Sequence, residues 1–62
     1  MPLIKVSTFE ERLGDDDKTK VLIEKLTSAV GEVYGEAARQ ETWVILEGIP
    51  RSHWGFAGEL RT

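Results

Sequence analysis

The spacing of apolar residues changes twice along this chain, and the order of those changes limits the folds open to it. From Pro2 to Phe9 the residues alternate, with Leu3, Lys5, Ser7 and Phe9 on one side and Ile4, Val6 and Thr8 on the other. A period of two, rich in β-branched and aromatic residues, predicts a strand. It begins beside a proline, whose missing N–H is tolerated at the first residue of a strand. Glu10 to Gly14 reads as a loop, and Asp15-Asp16-Asp17 then opens a helix. Carboxylates there cap free N–H groups and meet the positive end of the helix dipole. Leu22, Leu26, Ala29 and Val33 recur at i, i+4, i+7 and i+11, widened by Ile23, Val30 and Tyr34. That stripe is broad enough to cover a sheet, and Lys20, Glu24, Ser28 and Glu32 lie mostly outside it. Gly35 follows as a C-terminal stop. Thr42-Trp43-Val44-Ile45-Leu46 is an unbroken β-rich run, which predicts a strand buried on both faces. Gly48, Pro50 and Ser52 punctuate the loop after it, and Gly55-Phe56-Ala57-Gly58 fits a hairpin or a small edge strand.

Strand, helix and strand in this order make a β-α-β unit with parallel strands and a right-handed crossover. The expected fold class is therefore α/β (α+β): one such unit plus a short C-terminal hairpin, in a single domain spanning 1–62. Two strands under one helix leave the other sheet face open. A chain of 62 residues buries only about 60% of its unfolded surface. With no cysteine, neither a disulfide nor a thiolate metal site supplements the core. Small domains without such staples rely on association, so an oligomer is expected.

Charge and hydropathy narrow the function. Eight basic and 11 acidic residues are mixed along the chain for a net charge of −3, and no basic patch interleaves with aromatics, which argues against nucleic acid. The longest apolar runs are about five residues, against roughly 20 needed to span a bilayer. The start lacks the charged and apolar regions of a signal peptide, so a cytoplasmic protein away from membranes is expected. His53 is the single histidine and has no partner at metal-ligand spacing. Neither a Gly-rich phosphate loop nor a Ser-His-Asp or Cys-His pattern is visible. Neither a metal nor a cofactor is expected.

A Met-Pro start on a strand, in a β-α-β chain of this length, resembles 4-oxalocrotonate tautomerase and its superfamily. The matching pieces are PLIKV, FEERLGDDDK, LIEKLTSAV, VILEGIP and SHWGFAGEL, which together cover essentially the whole chain. Met-Pro, an arginine ten residues on and the HWGFAGEL tail form the specific part of this signature. The resemblance implies a cofactor-independent keto-enol isomerase acting on a small 2-hydroxy-enoic or 2-oxo acid. It implies that Pro2, freed by removal of Met1, is the general base that shuttles a proton between the enol oxygen and a carbon. It also implies that Arg12 holds a substrate carboxylate and that Trp54 forms part of an apolar pocket wall. The family's usual assembly is a homohexamer with sites shared between neighbours.

One position departs from the pattern. Aligning VILE with the family's second strand places Thr42 where a second substrate-binding arginine stands. Arg39, Arg51 and Arg61 are the candidates to replace it, with Arg39 only three residues away. An apparent two-residue insertion around Leu13 to Asp17 lengthens the loop behind Arg12. The chemistry that goes with Pro2 is physically sound. An N-terminal proline is a secondary amine, and desolvation with nearby positive charge lowers its pKa toward neutrality. With Met1 attached, the same nitrogen is an amide and has no basic lone pair. Arg12 brings a planar, permanently charged fork suited to a carboxylate. Two further readings remain open: water addition to an unsaturated acid, as in hydratases and dehalogenases on this fold, or a non-catalytic subunit of a hetero-oligomer.

Overall fold

The computed structural model describes residues 1–60. Strand β1 (Leu3–Phe9) and strand β2 (Trp43–Ile49) pair in parallel, from Leu3 opposite Trp43 to Phe9 opposite Ile49. Between them come a 3-10 turn (Glu10–Leu13), helix α1 (Asp16–Tyr34) and a short helix α2 (Glu36–Gln40). A second 3-10 turn (Arg51–His53) follows β2 and leads to an antiparallel hairpin of β3 (Gly55–Phe56) and β4 (Glu59–Leu60). The β-α-β unit and the hairpin are those expected from the sequence.

Local chemistry accounts for the joints. The Asp15 carboxylate accepts from the N–H groups of Asp17 and Lys18, at 3.0 and 3.2 Å, and so caps α1. Gly35 ends α1 at φ +97°, donating its N–H to the Gly31 carbonyl at 2.9 Å. The sequence pattern leaves the segment after that stop unassigned. The chain turns straight into α2, whose Arg39 stem lies across Gly31 so closely that a Cβ on Gly31 would stand 3.1 Å from it. In the hairpin, Ala57 and Gly58 take the central turn positions with φ +54° and +84°. That is the geometry a two-residue hairpin turn requires.

Packing departs from expectation in two places. Along β2 the side chains alternate rather than being buried throughout: Val44 and Leu46 are half-buried, whereas Trp43 and Ile45 are exposed. With one helix on the sheet, cover reaches Ile4, Val6 and Thr8 of β1, Val44 and Leu46 of β2, and the Phe9–Ile49 pair at the strands' far end. Leu3 and Trp43, 60% and 61% exposed, stand side by side on the open face. On α1 the half-buried residues are Thr19, Leu26, Thr27, Val30 and Gly31, while Val33 and Tyr34 at the end of the expected stripe are 73% and 76% exposed. Strand β2 also runs to Ile49, past the glycine that marked a loop, because its last residues stay paired with Thr8 and Phe9.

Candidate functional site

The residues with candidate chemistry gather at the two ends of β1. At the first end the Pro2 carbonyl accepts from the Trp43 N–H at 2.9 Å, which fixes Pro2 beside the start of β2. Met1 precedes it and acylates its nitrogen. The Met1 side chain lies against Trp43, whose indole Nε1–H donates to the Met1 sulfur at 3.0 Å. Thr42 turns inward instead of toward a ligand, its hydroxyl donating to the Ala38 carbonyl at 2.8 Å. Arg39 belongs to this end through its helix, since its carbonyl accepts from the Thr42 N–H. Its guanidinium lies 3.6 Å from Glu36, one turn away on α2.

At the other end Phe9 anchors an aromatic and cationic cluster. The Trp54 ring packs on Phe9 at 4.6 Å with a 53° tilt, and its indole N–H donates to the Ile49 carbonyl at 3.3 Å. The Arg51 guanidinium sits 4.2 Å above the Phe9 ring and pairs with Glu11, a cation–π contact combined with a charge pair. Arg12 rides on the Glu10–Leu13 turn, exposed, and among the described residues its side chain makes neither a hydrogen bond nor an ion pair. Its fork of N–H donors is available to an anion. That turn is pressed onto β2: a Cβ at Gly48 would stand 3.0 Å from Glu10 Cα and 3.3 Å from Leu13 Cδ1.

Between the two ends the open face carries a polar cluster. Glu47 accepts from the Ser7 hydroxyl at 3.1 Å and pairs with Lys5 at 3.3 Å. The Ser7 hydrogen bond first, and the Lys5 ammonium second, hold its carboxyl below the usual carboxylate range.

Seven strand residues at about 3.3 Å each put roughly 20 Å between the two ends. Within one chain Pro2 therefore meets neither Arg12 nor Trp54. Pro2 shares its end with Arg39, and Arg12 shares its end with Trp54. Arg51 is already engaged with Glu11, and Arg61 lies outside the described residues. The residue that sequence reasoning passed over is Trp43. It reads as a core or interface residue inside an apolar run, yet its indole touches the residue attached to the Pro2 nitrogen. The odd-numbered alternation of β2, continuous with that of β1, was the signal for it.

Comparison with known proteins agrees along the whole length. A family model described as "Tautomerase enzyme" matches residues 2–62. A probable tautomerase of Halalkalibacterium halodurans is 34% identical over 59 residues, 95% of this chain and 92% of that protein. One from Staphylococcus haemolyticus is 38% identical over 58 residues, 94% and 89% of the two chains. One from Ralstonia nicotianae is 40% identical over 58 residues, 94% and 79%. No solved structure matches the chain.

Proposed function

The chain belongs to the tautomerase family, and on that premise we propose that it moves a proton within a small 2-hydroxy-enoic or 2-oxo acid, with Pro2 as the base once Met1 has been removed. The observation that carries this reading is the family match over residues 2–62, which takes in Pro2 at the head of β1 as well as Arg12 and Trp54. In the reaction, the amine nitrogen takes the proton of the substrate's 2-hydroxyl. The O–H electron pair forms the carbonyl, and the displaced π pair takes the proton back from the prolinium to make a new C–H bond. The nitrogen ends neutral, so no cofactor is consumed. A base poised near the working pH suits both halves of this transfer.

The carboxylate is held by Arg12, whose charge is unpaired among the described residues, and Trp54 helps keep water from the reacting atoms. Because Pro2 and Arg12 lie at opposite ends of β1, a working site takes them from different chains. That fits an oligomer of identical subunits in the cytoplasm, the homohexamer being the family's usual form. The Pro2 nitrogen is then flanked by a neighbour's guanidinium, which disfavours the ammonium form.

The test is ketonisation of phenylenolpyruvate and of a 2-hydroxydienoate, followed by ultraviolet absorbance with protein shown by mass to begin at Pro2. Pro2→Ala is expected to lose about 100-fold or more in turnover, the usual worth of a positioned base, while keeping the same elution volume in gel filtration. Equal turnover by the two proteins would remove Pro2 from the mechanism.

A further inference from the structure

The methionine attached to the Pro2 nitrogen lies on the open sheet face, 86% exposed, and its side chain marks a group that stands beside that nitrogen. The Met1 sulfur is five bonds from the Pro2 nitrogen, so it lies no more than about 7 Å from it. It sits 3.0 Å from the Trp43 indole nitrogen, which donates to it. Sulfur is a weak acceptor, so the indole exchanges it for an oxygen at no loss. Two facts define the rest of this surface. Leu3 and Trp43 form an exposed apolar pair on the open sheet face directly beside Pro2. Thr42 has spent its hydroxyl on Ala38, and the Arg39 guanidinium faces Glu36. No uncommitted cation of this chain stands at this end among the described residues other than the amine itself.

We propose that in the processed protein the Trp43 indole N–H donates to an oxygen of the substrate, and that Trp43 with Leu3 selects an acid carrying one carboxylate and an apolar body. This rests on the tautomerase reading above. The carboxylate goes to Arg12, the one arginine without an ion pair among the described residues, lent by another chain. The reacting oxygen takes the indole N–H as the hydroxyl proton leaves and negative charge builds there. A donor aimed at developing charge acts mainly on the chemical step. A second carboxylate would meet an indole and a leucine instead of a cation, and the cost of stripping its water would count against it.

The experiment compares wild type, Trp43→Phe, Trp43→Arg and Pro2→Ala, each confirmed by mass to lack Met1. The substrates are phenylenolpyruvate and a 2-hydroxydienedioate. Trp43→Phe keeps the ring and loses the N–H; kcat on phenylenolpyruvate is expected to fall about 10-fold, with KM changed less than about twofold. Trp43→Arg is expected to shift the ratio of kcat/KM by about 10-fold or more toward the dicarboxylate. An unchanged kcat in Trp43→Phe and an unchanged ratio in Trp43→Arg overturn the proposal. If those results come with an inactive Pro2→Ala, the tautomerase reading stands and only Trp43 is removed. If Pro2→Ala matches wild type, the reading of Pro2 as the base fails, and the Trp43 proposal built on it falls with it. A measurement on the unmutated side chain covers variants that do not assemble. In Met-free protein, cinnamate at concentrations that inhibit turnover is expected to move the Trp43 indole proton resonance downfield. A Trp43 resonance that stays in place under those conditions overturns the proposal as well.

Discussion

Arg12 keeps its charge uncommitted because Arg51 has already taken Glu11, the nearest carboxylate in sequence. Phe9 stabilises that arrangement by holding the Arg51 guanidinium over its ring. Arg12→Ala is thus expected to raise KM for a carboxylate substrate by about 10- to 100-fold, the range for losing a charge-assisted hydrogen bond, with kcat little changed. Arg51→Ala frees Glu11 to neutralise Arg12 and is expected to raise KM in the same direction but less. Steady-state kinetics on both variants checks this, and an unmoved KM in Arg12→Ala would take that residue out of binding. Pro2 and Arg12 stand out in the sequence through the resemblance to the tautomerase family, which is what gives each its expected role. What no spacing reveals is that the strand between them holds them apart, or that Trp43 carries the atom in contact with Met1.

Among the elements, β1, the start of α1 and the hairpin follow directly from period, cap and turn residues. Helix α2 did not announce itself: five residues after a helix-stopping glycine hold less than two turns, too few for a periodic pattern. The far end of β2 was hidden for a different reason. Gly48 signals a loop by type, but here it is the strand residue on which the Glu10–Leu13 turn rests, and only a glycine leaves room for Glu10 Cα at that distance. Gly48→Ala is accordingly expected to destabilise the fold by about 1–3 kcal/mol through overpacking against backbone, read as a lower melting temperature. Because that turn carries Arg12, KM should rise alongside. The α1 stripe was read correctly as apolar but centred wrongly, since the helix outruns the two strands beneath it and leaves Val33 and Tyr34 beyond their cover.

Taken as a whole, the single chain is unusually open. Its radius of gyration is 14.3 Å, where a compact chain of this length has about 11 Å, and none of the described residues is fully buried. The open sheet face presents Leu3, Trp43 and Ile45, and in the proposed oligomer part of the hydrophobic stabilisation comes from other chains. The melting temperature is expected to rise by roughly 5 °C or more per tenfold increase in protein concentration, as mass action requires when folding and assembly are linked. A melting temperature independent of concentration over the micromolar range would show that the chain stands alone. The methionine on Trp43 has a consequence at this scale too. If each site draws its amine from one chain and its arginine from another, an untrimmed chain silences only the site that needs its amine. It still lends Arg12 to a neighbour. In an assembly of mixed ends, activity then follows the trimmed fraction in a straight line, and a half-processed preparation contains working enzyme at half strength rather than a few perfect particles among dead ones.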